Sequence, residues 1–182
     1  FKEAEIAAAL AQVAAVCGYS AEKSSEALDM MRTFYNGYRF SPDASAAVYN
    51  PTLALYFLKE FQETCGFPRN LLDSNLAMDR SKIAYVTHLP GGAQLILDLL
   101  TDDAALTVRQ LVDRFGVEEM RTTARDHSFM ASLLYYFGVL THGGLTPLQE
   151  IILRTPNLVT QRLAGQSTPG GGHARADAGR RG

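Results

Sequence analysis

The stretch Phe34-Tyr35-Asn36-Gly37-Tyr38-Arg39-Phe40, closed by Val48-Tyr49-Asn50-Pro51, constrains this chain most. Bulky aromatic residues crowd around one glycine, and an Asn-Pro break follows within a few positions. No single amphipathic helix reads this way. The pattern predicts two short strands joined by the polar loop Ser41-Pro42-Asp43-Ala44-Ser45. It ends where Asn50 can cap, and Pro51 can open, a new helix. Gly37 is expected to adopt a positive φ or to meet another backbone closely, because nothing larger suits a strand start among such side chains.

Helices flank this element. Residues 3–17 are alanine-rich, with Ile6, Leu10, Val13 and Cys17 at helical spacing, and Gly18 stops them. Ser20 is placed to cap a second helix whose inward stripe is expected to be Leu28, Met31 and Phe34. After Pro51, the residues Leu53, Leu55, Tyr56, Leu58 and Phe61 predict a broad apolar face. Residues 64–75, with Gly66, Pro68 and two asparagines, read as a loop with a short turn of helix. Asp79 to Leu100 reads as helix, broken at Pro90-Gly91-Gly92. Thr101-Asp102-Asp103 reads as a turn, and Thr107 as the cap of a helix from Val108 to Phe115. Asp126 precedes another apolar helix that Gly138 ends. Val139-Leu140-Thr141, a Gly143-Gly144 turn and Ile151-Ile152-Leu153 predict a hairpin. Pro156 opens a last short helix. From Gly165 onward the chain has no large apolar residue and reads as disordered.

Composition narrows the function classes. The chain has 182 residues, 47% hydrophobic and 20% charged, with net charge -2, an ordinary globular balance that does not suit a general nucleic-acid binder. No apolar run approaches the ~20 residues that cross a membrane. The charged opening Phe1-Lys2-Glu3-Ala4-Glu5 does not form a secretory leader. Cys17 and Cys65 are the only cysteines. They make no disulfide framework and are expected to be reduced and buried in a cytoplasmic protein. The absence of an initial Met reads as a fragment of a longer chain.

A catalytic constellation is not legible. No glycine-rich loop ends in Lys-Ser or Lys-Thr. His88, His127, His142 and His173 lack a metal-ligating partner at helical spacing and read as surface or capping residues. The acidic pairs Asp102-Asp103 and Glu118-Glu119 read as turn and helix-start residues rather than general acids. No catalytic residue and no metal ligand is assigned. The helix from His127 to Phe137 precedes the hairpin as the third helix of a winged-helix domain precedes its wing. It carries no Lys or Arg, so it is expected to pack against protein rather than DNA.

Four motifs in order resemble a family of AAA-type ATPases, often joined to a C-terminal PD-(D/E)XK nuclease-like domain. They are Phe1-Lys2-Glu3-Ala4-Glu5-Ile6; Tyr35-Asn36-Gly37-Tyr38-Arg39-Phe40 with Val48-Tyr49-Asn50-Pro51; Leu133-Leu134-Tyr135-Tyr136-Phe137-Gly138-Val139-Leu140-Thr141; and Leu153-Arg154-Thr155-Pro156-Asn157. The chain departs from the pattern in having no phosphate-binding loop, no Mg²⁺-binding acidic strand and no nuclease-like domain. Cys65-Gly66-Phe67-Pro68-Arg69-Asn70 also matches poorly the Trp-Phe-Glu-Thr-Gly-like stretch of the family.

The resemblance implies the C-terminal part of the ATPase module. The expected fold is mainly α: residues 1–100 as a helical lid with an aromatic hairpin, 101–163 as a winged-helix-like subdomain with a two-stranded wing, and 164–182 as a disordered tail. It implies ATP and Mg²⁺ held by a nucleotide-binding core that precedes this chain. That core, and a nuclease-like domain, would be its partners, with no catalysis by this chain alone. Arg39 has two readings. One is an exposed residue stacking on Tyr38 or Phe40. The other is a cation offered to ATP on a neighbouring core. A helical protein–protein interaction module without nucleotide, and a winged-helix DNA binder, are the alternatives.

Overall fold

The computed structural model describes residues 1–71, 77–101, 105–113 and 126–166. Among them the chain forms α1 (Glu3–Cys17), α2 (Ala21–Tyr35), α3 (Pro51–Thr64), α4 (Ala77–Thr87), α5 (Gly92–Asp98), β1 (Ala105–Val108), α6 (His127–Tyr136), β2 (Thr141–Leu145), β3 (Ile151–Arg154) and α7 (Leu158–Gln166). The protein is mainly helical, with one three-stranded antiparallel sheet in the order β1-β3-β2. The acidic pairs and the segment from Gly165 onward fall, apart from the end of α7, outside the described residues.

Local chemistry sets the helix ends. Gly18 closes α1 in the left-handed conformation at φ 64°, and its amide donates to the Ala14 carbonyl. Ser20 accepts from the Lys23 amide, Asn50 from the Leu53 amide ahead of Pro51, and Asp126 from the Phe129 amide. Each side chain satisfies an amide that the first turn leaves unpaired.

The inward faces differ from their sequence reading by small rotations. On α2 the fully buried residues are Ala27, Met31 and Tyr35, while Leu28 and Phe34 are half-buried at its flank. Tyr35 wins the interior because its hydroxyl donates to the Leu71 carbonyl at 2.9 Å and its ring meets Phe57 edge-on at 5.9 Å. Phe34 and Tyr35 therefore belong to a helix and not to a strand. On α3 the buried set is Leu53, Ala54, Phe57 and Phe61, and Leu55 is exposed. The aromatic hairpin is reduced to one bridge, Tyr38 with Val48.

Two further corrections fall in the C-terminal half. Thr107 does not cap a helix. Residues 105–108 form β1, with Leu106 and Val108 inward and Val108 opposite Ile151. A period of two decided over a cap because β3 lay ready to pair. Gly143 and Gly144 are not the turn. They lie within β2 at a bulge, and the turn is 146–150. There Thr146 accepts from the Leu148 and Glu150 amides, and its own amide donates to the Glu150 carbonyl.

One continuous buried cluster runs from Ile6 to Ala164 and draws on both halves of the chain. Helices α4 and α5 each pack against α6 and α7, and α2 packs against α7. Leu133 and Leu134 are buried and Phe137 half-buried; the Leu134 carbonyl accepts from both the Val139 and Leu140 amides. Leu134→Ala is expected to cost ~2–5 kcal/mol, as large-to-small core changes do. A thermal melt checks it. None of the described helices is long and apolar enough to cross a membrane.

Candidate functional site: the junction of the aromatic loop

Residues that are remote in sequence meet around the loop from Asn36 to Tyr49. Its two arms are tied by the Tyr38 amide donating to the Val48 carbonyl at 3.2 Å and the Val48 amide to the Tyr38 carbonyl at 2.9 Å. The Asn50 amide closes the loop onto the Tyr35 carbonyl at 2.8 Å.

Three contacts then carry the loop to the rest of the chain. Arg39 lies against the start of β2. Its amide donates to Thr141 Oγ1 at 2.6 Å, and its carbonyl accepts from the Thr141 hydroxyl at 2.8 Å and from the His142 amide at 3.2 Å. Gly37, at φ 108°, presses its backbone against Pro156: a Cβ there would stand 1.8 Å from the Pro156 carbonyl oxygen. Asn157 donates from its side-chain amide to the Asn36 carbonyl at 3.0 Å, while its Oδ1 accepts from the Thr160 amide and hydroxyl at the start of α7. The expectation for Gly37 holds on both counts.

The N-terminal segment joins on the other side. The Tyr49 amide donates to the Phe1 carbonyl at 2.8 Å, and its hydroxyl to Glu3 Oε2 at 2.5 Å. Glu3 also receives the Arg32 guanidinium, which pairs with Asp29 at 2.5 Å. The Arg32 hydrogen bond holds the Glu3 carboxyl below the usual range, against a smaller opposing effect of burial. Burial pushes the Tyr49 phenol up, and the bond to Glu3 adds to it. Tyr49 is thus an uncharged donor that pins the loop to α1.

The side chain of Arg39 is exposed, as is Phe40, whose ring stacks on Tyr38 at 6.4 Å. Arg39 is fixed through its backbone, and among the described residues no acid pairs with its guanidinium. Among the described residues no group of three His, Cys, Asp or Glu is placed to hold a metal ion.

His142 departs from its sequence reading as a surface or capping residue. It is 6% exposed, with its ring against Tyr135 at 5.1 Å, and its Nδ1 has no hydrogen-bond partner. Sequence offered no signal for this beyond its place in a strand next to Thr141. Burial penalises the imidazolium and lowers its pKa from 6.5. The unfolded chain therefore takes up this proton first. The contribution of His142 is fully present above pH 6.5 and is lost as pH falls through and below that value. Melting temperature is expected to decline as pH falls from about 7 to about 5, and His142→Phe to flatten that decline. Parallel pH profiles of the two proteins would contradict this.

The cysteines also depart from expectation. Cys17 and Cys65 form a disulfide across 48 residues, and Cys65 is exposed. Packing of α1 on α3 brings their C-terminal ends together, and each cysteine ends or caps its helix.

Comparison with known proteins returned no match: no protein-family model fits the chain, and neither a characterised protein nor a solved structure is similar to it.

Proposed function

We propose that this chain is the lid and winged-helix-like part of an AAA-type ATPase, relaying the nucleotide state of a preceding core to partners and not hydrolysing ATP by itself. The observation that carries this reading is the junction. The motifs that resemble the family are hydrogen-bonded across as many as 121 residues, Asn36 with Asn157, and 102, Arg39 with Thr141, yet they meet around one loop. Phe1 and Glu3 hold Tyr49, Tyr38 pairs Val48, Thr141 clasps Arg39, and Pro156 and Asn157 seat Gly37 and Asn36. A loop bonded to both halves of the chain is suited to pass a displacement from one to the other. The strand order β1-β3-β2, with α6 directly ahead of the β2–β3 hairpin, supports the winged-helix reading.

The nucleotide itself finds no phosphate cradle among these residues. Arg39 is the cation this chain would offer to a γ-phosphate held elsewhere, where its charge would stabilise the developing negative charge. A DNA-binding role fits less well. Phe129 to Leu134 on α6 are buried without a break, so the helix has no free face to lay in a groove.

The test uses the protein extended upstream through the nucleotide-binding core. Arg39→Ala is expected to lower its ATP turnover by about tenfold or more while leaving the melting temperature unchanged. The present chain alone is expected to show no ATP binding by calorimetry. Micromolar affinity of this chain for ATP, or an extended protein that never binds ATP, would overturn the reading, and the second result would favour the interaction module.

A further inference from the structure

We propose that Cys17–Cys65 is a redox-responsive clasp, opened by small thiols of the glutathione class, that sets the separation of the C-terminal ends of α1 and α3. The proposal is independent of the nucleotide reading.

The pair is placed for exchange. Cys65 lies outside α3, at its C-cap with φ 42°, and is exposed. An exposed residue at a helix end is the partner of the pair that a small thiol would meet first. A cation is anchored on the backbone of Cys65: Lys23 Nζ is 3.5 Å from the Cys65 carbonyl oxygen and 3.8 Å from the centroid of the Tyr19 ring. A neighbouring ammonium lowers the cost of a thiolate and favours its departure or attack. Lys23 rests on Tyr19, so it stays in place whichever state the sulfurs adopt.

The joint also survives the bond. The Tyr19 hydroxyl donates to the Phe61 carbonyl at 3.2 Å, Tyr19 packs on Phe61 at 4.7 Å, and Phe61 on Phe67 at 5.2 Å. These contacts keep the end of α1 near α3 after reduction, so opening loosens the region and does not unfold the protein. What it loosens is a groove of about 550 Å³ lined by Val16, Leu55, Leu58, Lys59, Gln62 and Glu63. Val16 adjoins Cys17, and the Gln62 carbonyl oxygen lies 3.5 Å from Cys17 Sγ and 3.7 Å from Cys65 Sγ. The groove wall and the sulfurs move together.

The chemistry balances without a cofactor. A thiolate attacks Cys65 Sγ, the Cys17–Cys65 bond breaks, and its electron pair leaves on Cys17 Sγ, which takes a proton. A second thiolate attacks the small-molecule sulfur of the mixed disulfide and releases Cys65 as a thiolate beside Lys23. The two cysteines are reduced and two small thiols become one disulfide. Oxidation runs the same steps backwards.

The test equilibrates the native protein in a series of glutathione and glutathione disulfide mixtures, traps free thiols with iodoacetamide and reads the intact mass. We expect the doubly alkylated form to replace the unalkylated form reversibly within that series. Hydrogen exchange should rise on reduction in residues 14–20 and 60–67, with the sheet unaffected. The double variant Cys17→Ser, Cys65→Ser should match the reduced protein and ignore the buffer; the wild-type titration decides even where that variant does not fold. A bond that resists excess reduced glutathione in the native protein yet yields in denaturant would make it a static staple and overturn the proposal. Two free thiols in excess glutathione disulfide would overturn it as well.

Discussion

Alanine at position 37 is expected to destabilise the protein by about 2–6 kcal/mol. Two costs add. A side chain at φ 108° is held in a region almost reserved for glycine, at ~1–3 kcal/mol. A Cβ 1.8 Å from the Pro156 carbonyl oxygen also forces backbone apart, and overpacking of this kind costs ~1–3 kcal/mol. Neither chain is free to yield, because Asn157 next to Pro156 is bonded to Asn36 next to Gly37. Gly18 supplies the control. It also has positive φ, at 64°, but nothing lies within 4 Å of its Cβ position. Gly18→Ala is therefore expected to cost only the conformational ~1–2 kcal/mol. Denaturant titration of both variants checks the pair. Equal losses would mean that the junction is slack and that only backbone conformation matters.

Phe61→Ala is expected to cost ~3–5 kcal/mol, the usual toll for deleting a buried ring. Phe61 is fully buried, and its ring meets Tyr19, Phe57 and Phe67 at 4.7, 5.5 and 5.2 Å. Truncation removes the shared partner of all three and leaves a cavity under the α1–α3 joint. At ~2–4 °C per kcal/mol for a chain of this size, the melting temperature should fall by about 6–20 °C. Leu55→Ala, one helix face away and 56% exposed, should stay within ~0.5 kcal/mol. The same small effect from Phe61→Ala would show that the aromatic cluster relaxes to fill the space.

The residues of the junction were legible in part. Gly37 announced itself by its neighbours, and Asn50-Pro51 by capping chemistry. Both sequence readings of Arg39 concern its side chain, whereas the structure holds it by its backbone against Thr141. Nothing in a chain of letters marks which strand a backbone will pair with. His142 was read as a surface or capping histidine, yet it is buried beside Tyr135. Burial depends on which face of β2 turns inward, and the bulge between His142 and Gly144 resets that alternation. The sheet suffered most. Residues 105–108 show β-branched Thr107 and Val108, but four residues are too few to separate a strand from a helix start by period alone.

By itself the sequence determined the glycine stop of α1, the caps that open α2, α3 and α6, the mainly helical class and the position of the one obligatory glycine in the loop. Those features rest on interactions within three or four residues, between a cap side chain and the amides of its own first turn or a glycine and its own φ. Only the tertiary structure decided that β1 joins the sheet, that Cys17 meets Cys65 across 48 residues, and that Arg39 meets Thr141 across 102. Such contacts form only once the buried faces of distant elements have packed, and the free energy that selects them belongs to the whole core rather than to any local segment.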